Sequence, residues 1–550
     1  MLAAIAGDRG RGTALAILAV MMVAAAVALV HWGRGQVMSG DDLFYAQRLS
    51  ENTLGHTILH SNVYLIALPM AAYKAMFEVF GIGSYVPYRL VAIILALLCG
   101  ALFYLIARRR IGSLLALVPT ILLLFFGSGW EELITATRIP SLFAIASGLA
   151  AVLLLGRADA RGDVMAAVLL CVSVTSHPTG LGFLAAAATL VAFRPSPRRW
   201  KSSWVVLIPT GLFGAFLVFY QRTAGNAPDV LDVLAFARNS WTMLTAAVSG
   251  LSGVLEAPVY DRLVAELAST LLLAVILVGA ALRWRRLRPT FWAAVAGLVA
   301  LLVATRLSPG GFIREPDAPR YLYPETILFL WILVELAAAW WDAGTARTRG
   351  VVAGFATGVL MLGVWANVAK LEDASALLRT NSMIARGQYG AYELARDRLR
   401  PGYTPNPFLP SPGNYLSAAA AYGSIGLDPR ELAGASELER ASADRALVGA
   451  LGLELSPAGS GPPVRPCTRS RHFSELELPA GGAWIGGGQL GDATFTLGRF
   501  ADPAIAPLTS QVGNGAAAIL RIPPDGAGVP WKLKVASRNP VTVCGAEMRR

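Results

Sequence analysis

The sequence predicts an all-α polytopic membrane bundle, then an extracytoplasmic α-helical connector, then a C-terminal β-sandwich. Three observations predict it. Hydrophobic residues fill 55% of the 550 positions and charged residues 15%, with a mean hydropathy of +0.54, which is more apolar surface than a soluble core of this size could hide. Apolar runs recur, many of them near the roughly 20 residues that a backbone-satisfied helix needs to cross hydrocarbon, and short basic clusters separate them. Near the C-terminus the pattern changes to Gly and Pro interleaved with short alternating runs, the signature of antiparallel strands.

Eleven apolar runs are read as crossings, near 13–31, 86–107, 111–126, 140–156, 163–178, 180–193, 203–220, 263–282, 290–306, 324–341 and 350–369. The fifth and sixth are short and form a hairpin broken at His177-Pro178. Arg9 and Arg11 precede the first run as they would in a secretory signal, but no small-residue cleavage site follows, so it is read as a retained anchor.

Lys and Arg in short loops mark the cytoplasmic side, and here every second loop is basic. The set comprises Arg9 and Arg11, Arg108 to Arg110, Arg157 and Arg161, Arg194 with Arg198, Arg199 and Lys201, Arg283 with Arg285, Arg286 and Arg288, and Arg347 with Arg349. An inside N-terminus and an odd number of crossings then put the tail outside, with the loops at 32–85, 127–139, 221–262 and 307–323. The net charge of +12 is accounted for largely by the inner loops, where it sets topology and meets anionic lipid, and nucleic acid is excluded as a partner.

The membrane domain is expected over 1–370, a helical connector over 371–455 and the sandwich over 463–550. Helical spacing runs through 371–398 and 415–452 around the Pro-rich turn at 401–414. Cys467 and Cys544 are the tail's only cysteines, so an oxidising exterior predicts their disulfide, worth about 4 kcal/mol in the chain-entropy model. Trp484 and Trp531 are the tail's candidate aromatic binding platforms, and a spacer role is equally open.

The outer loops carry the chemistry. Asp41 and Asp42 follow the first crossing; adjacent carboxylates repel each other, yet they also suit the first turn of a helix with Ser39 or Asp41 as cap, and capping and catalysis can coexist. Glu131 and Glu132 sit in a short loop between Trp130 and Arg138, where ionisable groups near hydrocarbon are costly and face polar surroundings. Arg314, Arg320, Tyr321 and Tyr323 stand before the tenth crossing. An outward Arg320 runs against the bias of the other basic clusters, and its planar fork of donors suits phosphate. Arg89 either snorkels to the interface or neutralises the acidic loop. His56 and His60, at i,i+4 spacing, are read as surface histidines, and His177 as a kink-associated residue.

SGDDLFYAQ at 39–47, GSGWEELITATRIP at 127–140 and APRYLYP at 318–324, set among many crossings over 1–370, resemble the C-type glycosyltransferase (GT-C) superfamily. The resemblance is closer to the bacterial branch of protein mannosyltransferases, aminoarabinose transferases and lipopolysaccharide-core transferases of the RgtA to RgtD type than to oligosaccharyltransferases, since no WWD-like motif stands in the tail. The Ala, Gly and Arg content and the form of the tail are similar to actinobacterial cell-wall members.

The resemblance implies a hexosyl- or pentosyltransferase that takes its sugar from a polyprenyl-phosphate donor and passes it to a glycan, lipid or protein of the cell envelope, on the outer face of the cell membrane. By position, Asp41 or Asp42 is the acceptor-side base, with Glu131 and Glu132 also catalytic. Arg320, Tyr321, Tyr323, Arg138 and Arg89 are the donor-phosphate candidates. Carboxylates from two loops could also converge on a divalent cation, Mg²⁺ or Mn²⁺, with Asp41 and Asp42 the candidate ligands. The rival readings are a transporter or flippase of a lipid-linked glycan, which calls for ionisable groups at mid-membrane depth, and a non-catalytic scaffold that binds wall polymer.

Overall fold

The computed structural model describes residues 8–60, 65–219, 233–252, 262–307, 315–343, 345–404, 410–458, 466–470, 473–479, 481–486, 490, 493–509, 517–524, 527–545 and 547–548. In chain order the helices are α1 (Asp8–Trp32), α2 (Asp41–Glu51), α3 (Leu54–His60), α4 (Ala67–Phe80), α5 (Val86–Ile111), α6 (Leu117–Leu124), α7 (Trp130–Ile134), α8 (Ile139–Leu155), α9 (Ala160–Val174) and α10 (Gly180–Ala192). They continue with α11 (Ser196–Ser202), α12 (Trp204–Phe219), α13 (Val233–Ser252), α14 (Arg262–Arg283), α15 (Pro289–Leu307), α16 (Pro319–Ala343), α17 (Ala346–Leu394), α18 (Pro412–Tyr422), α19 (Pro429–Gly434) and α20 (Glu437–Ala450). The chain divides into two compact units, the first holding Met1–Arg34, Asn52–Met76 and Val86–Ala376, the second Gly35–Glu51, Phe77–Tyr85 and Leu377–Arg550.

The first unit is a helical membrane bundle, and the chain is a multi-pass membrane protein. Among the described residues eight helices are long and apolar enough to cross a bilayer, and nine if the bent pair of α6 and the segment Gly127–Ile134 counts as one span. The other expected crossings are shorter: α6 has 8 residues, α9 has 15 and α10 has 13. Apolar side chains that water would penalise cover the outside, such as Val20, Val23 and Val27 on α1 and Phe355, Met361 and Trp365 on α17, each more than half exposed. At the centre stands α16, whose apolar window is 89% buried.

Two buried ion pairs tie helices of the bundle together. Arg110 at the end of α5 donates to both oxygens of Glu335 on α16, and Arg194 grips Asp163 of α9 while Ser202 donates to the same carboxylate. Between them they tie α5 to α16, and α9 to the turns around α11. Small residues line the apolar contacts of α8, α9, α10 and α12, where Ala151, Leu170, Val174, Ala187, Val191 and Val205 form one core.

The second unit combines helices with two five-stranded antiparallel sheets. Its strands are β1 (Leu455–Pro457), β2 (Cys467–Ser470), β3 (Phe473–Leu478), β4 (Ala483–Gly486), β5 (Thr494–Gly498), β6 (Ala506–Pro507), β7 (Ala518–Leu520), β8 (Trp531–Ala536), β9 (Val541–Cys544) and β10 (Glu547–Met548). One sheet has the order β1-β7-β4-β9-β2 and the other β10-β3-β8-β5-β6. Alternation sorts the second sheet's faces: Leu476, Leu533 and Val535 are buried, while Glu475 pairs in register with Lys534 and Glu477 with Lys532. The disulfide Cys467–Cys544 joins β2 to β9, whose cysteines face each other in register. Asp444 of α20 docks that helix on β5 by accepting from the amides of Arg499, Phe500 and Ala501 at 2.8–3.0 Å. Burial pushes the Asp444 carboxyl up, outweighing the opposing pull of those three N–H donors.

Residues 35–51 and 77–85, which lie within the expected first outer loop, belong to this unit, and α2 packs against α18. The spacing expected over 371–398 is the continuation of α17, a single helix of 49 residues.

Candidate functional site

The acidic segment after α6 is folded rather than looped. A 3-10 turn at Gly127–Gly129, then α7 and a second 3-10 turn at Ala136–Arg138 lead into α8, with a 42° bend from α6. Gly127, Ser128, Gly129 and Glu132 are buried, where the sequence suggested a short outer loop. Polar groups of α17 hold the turn: Asn367 Oδ1 accepts from the Ser128 amide at 3.1 Å, and Lys370 Nζ donates to Ser128 Oγ at 3.0 Å. Asn367 also donates to the carbonyls of Gly250 and Gly363, both at 2.7 Å. Only glycine fits at 127, because a Cβ there would lie 2.0 Å from the Asn367 carbonyl oxygen. From α4, Tyr73 donates to the Ala136 carbonyl at 2.7 Å.

This scaffold sends the two glutamates in different directions. Glu131 Oε2 takes Arg138 Nη2 at 2.9 Å and lies 3.9 Å from Arg320 Nη1, so two guanidinia share one carboxylate. Arg320 is the more available of the two: its side chain is one-third exposed, its contact with Glu131 is long, and its Nε has no hydrogen-bond partner among the described residues. The Tyr321 ring lies 5.2 Å from the guanidinium carbon of Arg320. Arg306, buried at the end of α15, is within electrostatic reach of Tyr321. Glu132 instead turns inward, 1% exposed, towards Arg138, Ser141, Cys99 and Tyr323. Tyr323 is fully buried beside Gly129 and its hydroxyl has no partner among the described residues. Tyr321 and Arg320 thus stay at the mouth of α16, while Tyr323 belongs to its interior.

His177 stands in the turn between α9 and α10, within electrostatic reach of Arg138. Its Nδ1 accepts from the Thr179 amide at 3.3 Å and lies 2.7 Å from Thr179 Oγ1, which leaves the ring proton on Nε2. Arg89 is turned towards α1. Buried on α5, it donates to the Leu29 carbonyl at 2.7 Å and so caps the last turn of α1. Gly33 makes room for it, since a Cβ there would meet the guanidinium at 2.0 Å. Arg314 lies outside the described residues.

In the second unit, Asp41 opens α2 and Asp42 follows in its first turn, the position that the helix dipole favours for acids. The pair is not equivalent. Asp42 is fully buried and accepts from the Tyr85 hydroxyl at 2.7 Å, whereas Asp41 is exposed. His56 lies on α3, exposed, and the His60 side chain falls outside the described residues. Among the described residues no group of three His, Cys, Asp or Glu side chains is placed to hold a metal ion. Two guanidinia already flank Glu131, which makes that carboxylate a poor ligand for a cation, and Asp42 is taken up by the Tyr85 hydroxyl.

Arg306, Lys370 and Asn367 were not singled out from the sequence. Arg306 had a readable signal, the same one as Arg320: an arginine at the end of an apolar run on the side away from the other basic clusters. Lys370 and Asn367 had none, since they look like the polar end of the last crossing.

No family model and no curated protein matches this sequence. Among solved structures the chain is similar to the archaeal oligosaccharyltransferase AglB from Archaeoglobus fulgidus, in complex with an inhibitory peptide and a dolichol-phosphate, at 13% identity and a TM-score of 0.41 over 75% of this chain and 64% of that one. It is also similar to ArnT from Cupriavidus metallidurans bound to undecaprenyl phosphate, at 17% identity and a TM-score of 0.41 over 70% of this chain and 81% of that one. The chain thus spans 64% of the length of AglB. Neither likeness assigns a role to a residue here.

Proposed function

We propose that this protein is a membrane glycosyltransferase of the GT-C type that moves a sugar from a polyprenyl-phosphate donor to an acceptor of the cell envelope, on the outer face of the membrane. The observation that carries the reading is Arg320, held beside Arg138 by one shared glutamate and keeping donors unused. A polyprenyl-phosphate sugar is a phosphodiester with one negative charge. When the bond between the anomeric carbon and the phosphate oxygen breaks, the departing polyprenyl phosphate carries a second. Arg320 and Arg138 meet that growing charge, while Tyr321 braces Arg320.

The acceptor hydroxyl attacks the anomeric carbon and gives up its proton. Asp41 is the base in this reading, being exposed and ionisable, and Asp42, tied to Tyr85, positions it. Glu131 orients the arginines and Glu132 serves the interior. An N-terminus inside the cell and a tail outside follow from the basic loops.

The transporter reading has one observation in its favour. Glu325 is fully buried in α16, and neither of its carboxylate oxygens has a partner among the described residues. The deciding experiment incubates purified protein with a panel of polyprenyl-phosphate sugars and follows released polyprenyl phosphate. Release with sugar transferred supports the transferase. No release from any donor, together with donor flipping across vesicles, would replace it with the transporter.

A further inference from the structure

At one end of the bundle two connections meet. Arg283 ends α14, a 3-10 turn at Trp284–Arg286 follows, and Arg288 precedes α15; opposite them Trp340, Trp341 and Asp342 end α16 and Arg347 and Arg349 enter α17. The Arg283 guanidinium stacks 4.4 Å over the Trp340 ring, which joins the two connections. Arg349 lies 5.7 Å from the centre of Trp341 and donates Nε to that residue's carbonyl at 3.2 Å. Arg285 lies over Trp284, itself 61% exposed. The two connections carry six arginines and one carboxylate, Asp342, whose contact with Arg288 is loose at 3.7 Å and open to solvent.

We propose that this cluster is a binding site for the phosphate headgroup of an anionic phospholipid. Tryptophan settles at headgroup depth, so the Trp340–Trp341 platform puts the stacked guanidinia where lipid phosphates lie. Stacking occupies the face of Arg283 and leaves its in-plane N–H groups free, and Arg283 makes no hydrogen bond or ion pair among the described residues. An ordinary topogenic cluster needs only charge near the membrane. Here two of the arginines are fixed on indole rings from a separate helix end, as a site with defined geometry requires. A membrane-anchored ligand is favoured over free phosphate, because the exposed Trp284 and the apolar flank of α14, with Leu277, Val278 and Leu282 all more than half exposed, offer the acyl chains a surface beside the headgroup.

The test uses the full chain purified in neutral detergent. Phosphatidylglycerol, phosphatidylcholine and inorganic phosphate are added separately, and retained lipid is read by native mass spectrometry alongside the thermal unfolding midpoint. Phosphatidylglycerol should be retained and raise the midpoint, and the other two should not. Arg283→Ala/Arg349→Ala should weaken phosphatidylglycerol binding about 30-fold, while Arg199→Ala, which removes an arginine beside Trp200 in a different basic cluster, should leave it within about threefold of the parent. Trp340→Leu keeps every charge but removes the platform, so a loss in that variant also separates a built site from charge alone. Equal retention by the parent and by both cluster variants, or equal protection by inorganic phosphate, would overturn the proposal. Sugar transfer is not read in this experiment, so its outcome is independent of the proposed activity.

Discussion

Arg138 Nη2 stands 2.9 Å from Glu131 Oε2, and both side chains come from the same folded stretch of thirteen residues, 127–139. The ion pair fixes a guanidinium that a loop would leave to wander, and it places Arg320 of α16 within 3.9 Å of the same oxygen. In the proposed reading its value for phosphate binding comes from this preorganisation.

Removing Arg320 should therefore weaken the donor in its ground state as well as slow the chemistry. A charge-assisted hydrogen bond is worth about 1.5–3 kcal/mol, so Arg320→Ala should raise the dissociation constant for polyprenyl phosphate by roughly 10–150-fold. Titration of the purified variant checks this. Affinity equal to the parent's would remove Arg320 from the site.

The two aspartates should separate. Asp41→Asn keeps the size of the side chain and removes its basicity, so turnover should fall about 10²–10⁴-fold with donor affinity kept. Tyr85→Phe deletes the hydrogen bond to Asp42 and should cost much less, within about tenfold, if Asp42 only positions its neighbour. Rates from single-turnover assays decide it. Full activity in Asp41→Asn would show that the acidic pair is a helix cap.

Gly127→Ala should damage the bundle out of proportion to one methyl group. The obstacle is the Asn367 backbone carbonyl, which cannot swing aside, and overpacking of this kind costs about 1–3 kcal/mol. A lower unfolding midpoint, with both Glu131 and Arg138 still present, is the expected reading. Gly413→Ala, where a Cβ would meet nothing within 4 Å, serves as the comparison.

The second unit should lose stability as pH rises from acid towards neutral, as far as Asp444 governs it. Its folded-state pKa is raised, so its contribution is fully present below the unfolded value near 3.9 and is lost as pH climbs through the folded value. Asp444→Asn should flatten that slope, because an amide does not titrate, while its oxygen, in the place of Oδ2, still accepts from the backbone donors. Protease resistance of the tail across pH 3–7 would show it. An unchanged slope would assign the pH dependence to other groups.

Reduction should separate β2 from β9 without breaking the rest of the sheet order, and Cys467→Ser/Cys544→Ser should cost about 2–5 kcal/mol, as removal of a native disulfide does. Thiol counting by mass under denaturing conditions checks the bond. Four free thiols without reductant would refute it; two, at Cys99 and Cys171, are expected.

The sequence by itself determined what depends on composition and on local periodicity. Long apolar runs demand lipid whatever packs against them, alternation of polar and apolar residues demands sheet, and two cysteines alone in a tail have only each other. Hence the membrane bundle, the strands and the Cys467–Cys544 pair were all legible. Adjacent residues of one type were not separable in this way. Asp41 and Asp42, Glu131 and Glu132, and Tyr321 and Tyr323 look interchangeable on paper. On a helix, neighbours point about 100° apart, and residues two apart about 200°. Only the packing around them decided that Asp42 goes to Tyr85 and Glu132 and Tyr323 go to the interior, while Glu131 and Tyr321 stay with Arg320. The partners that made those choices, Tyr85 to Asp42 and Asn367 to Ser128, are 43 and 239 residues away, beyond the reach of any local pattern.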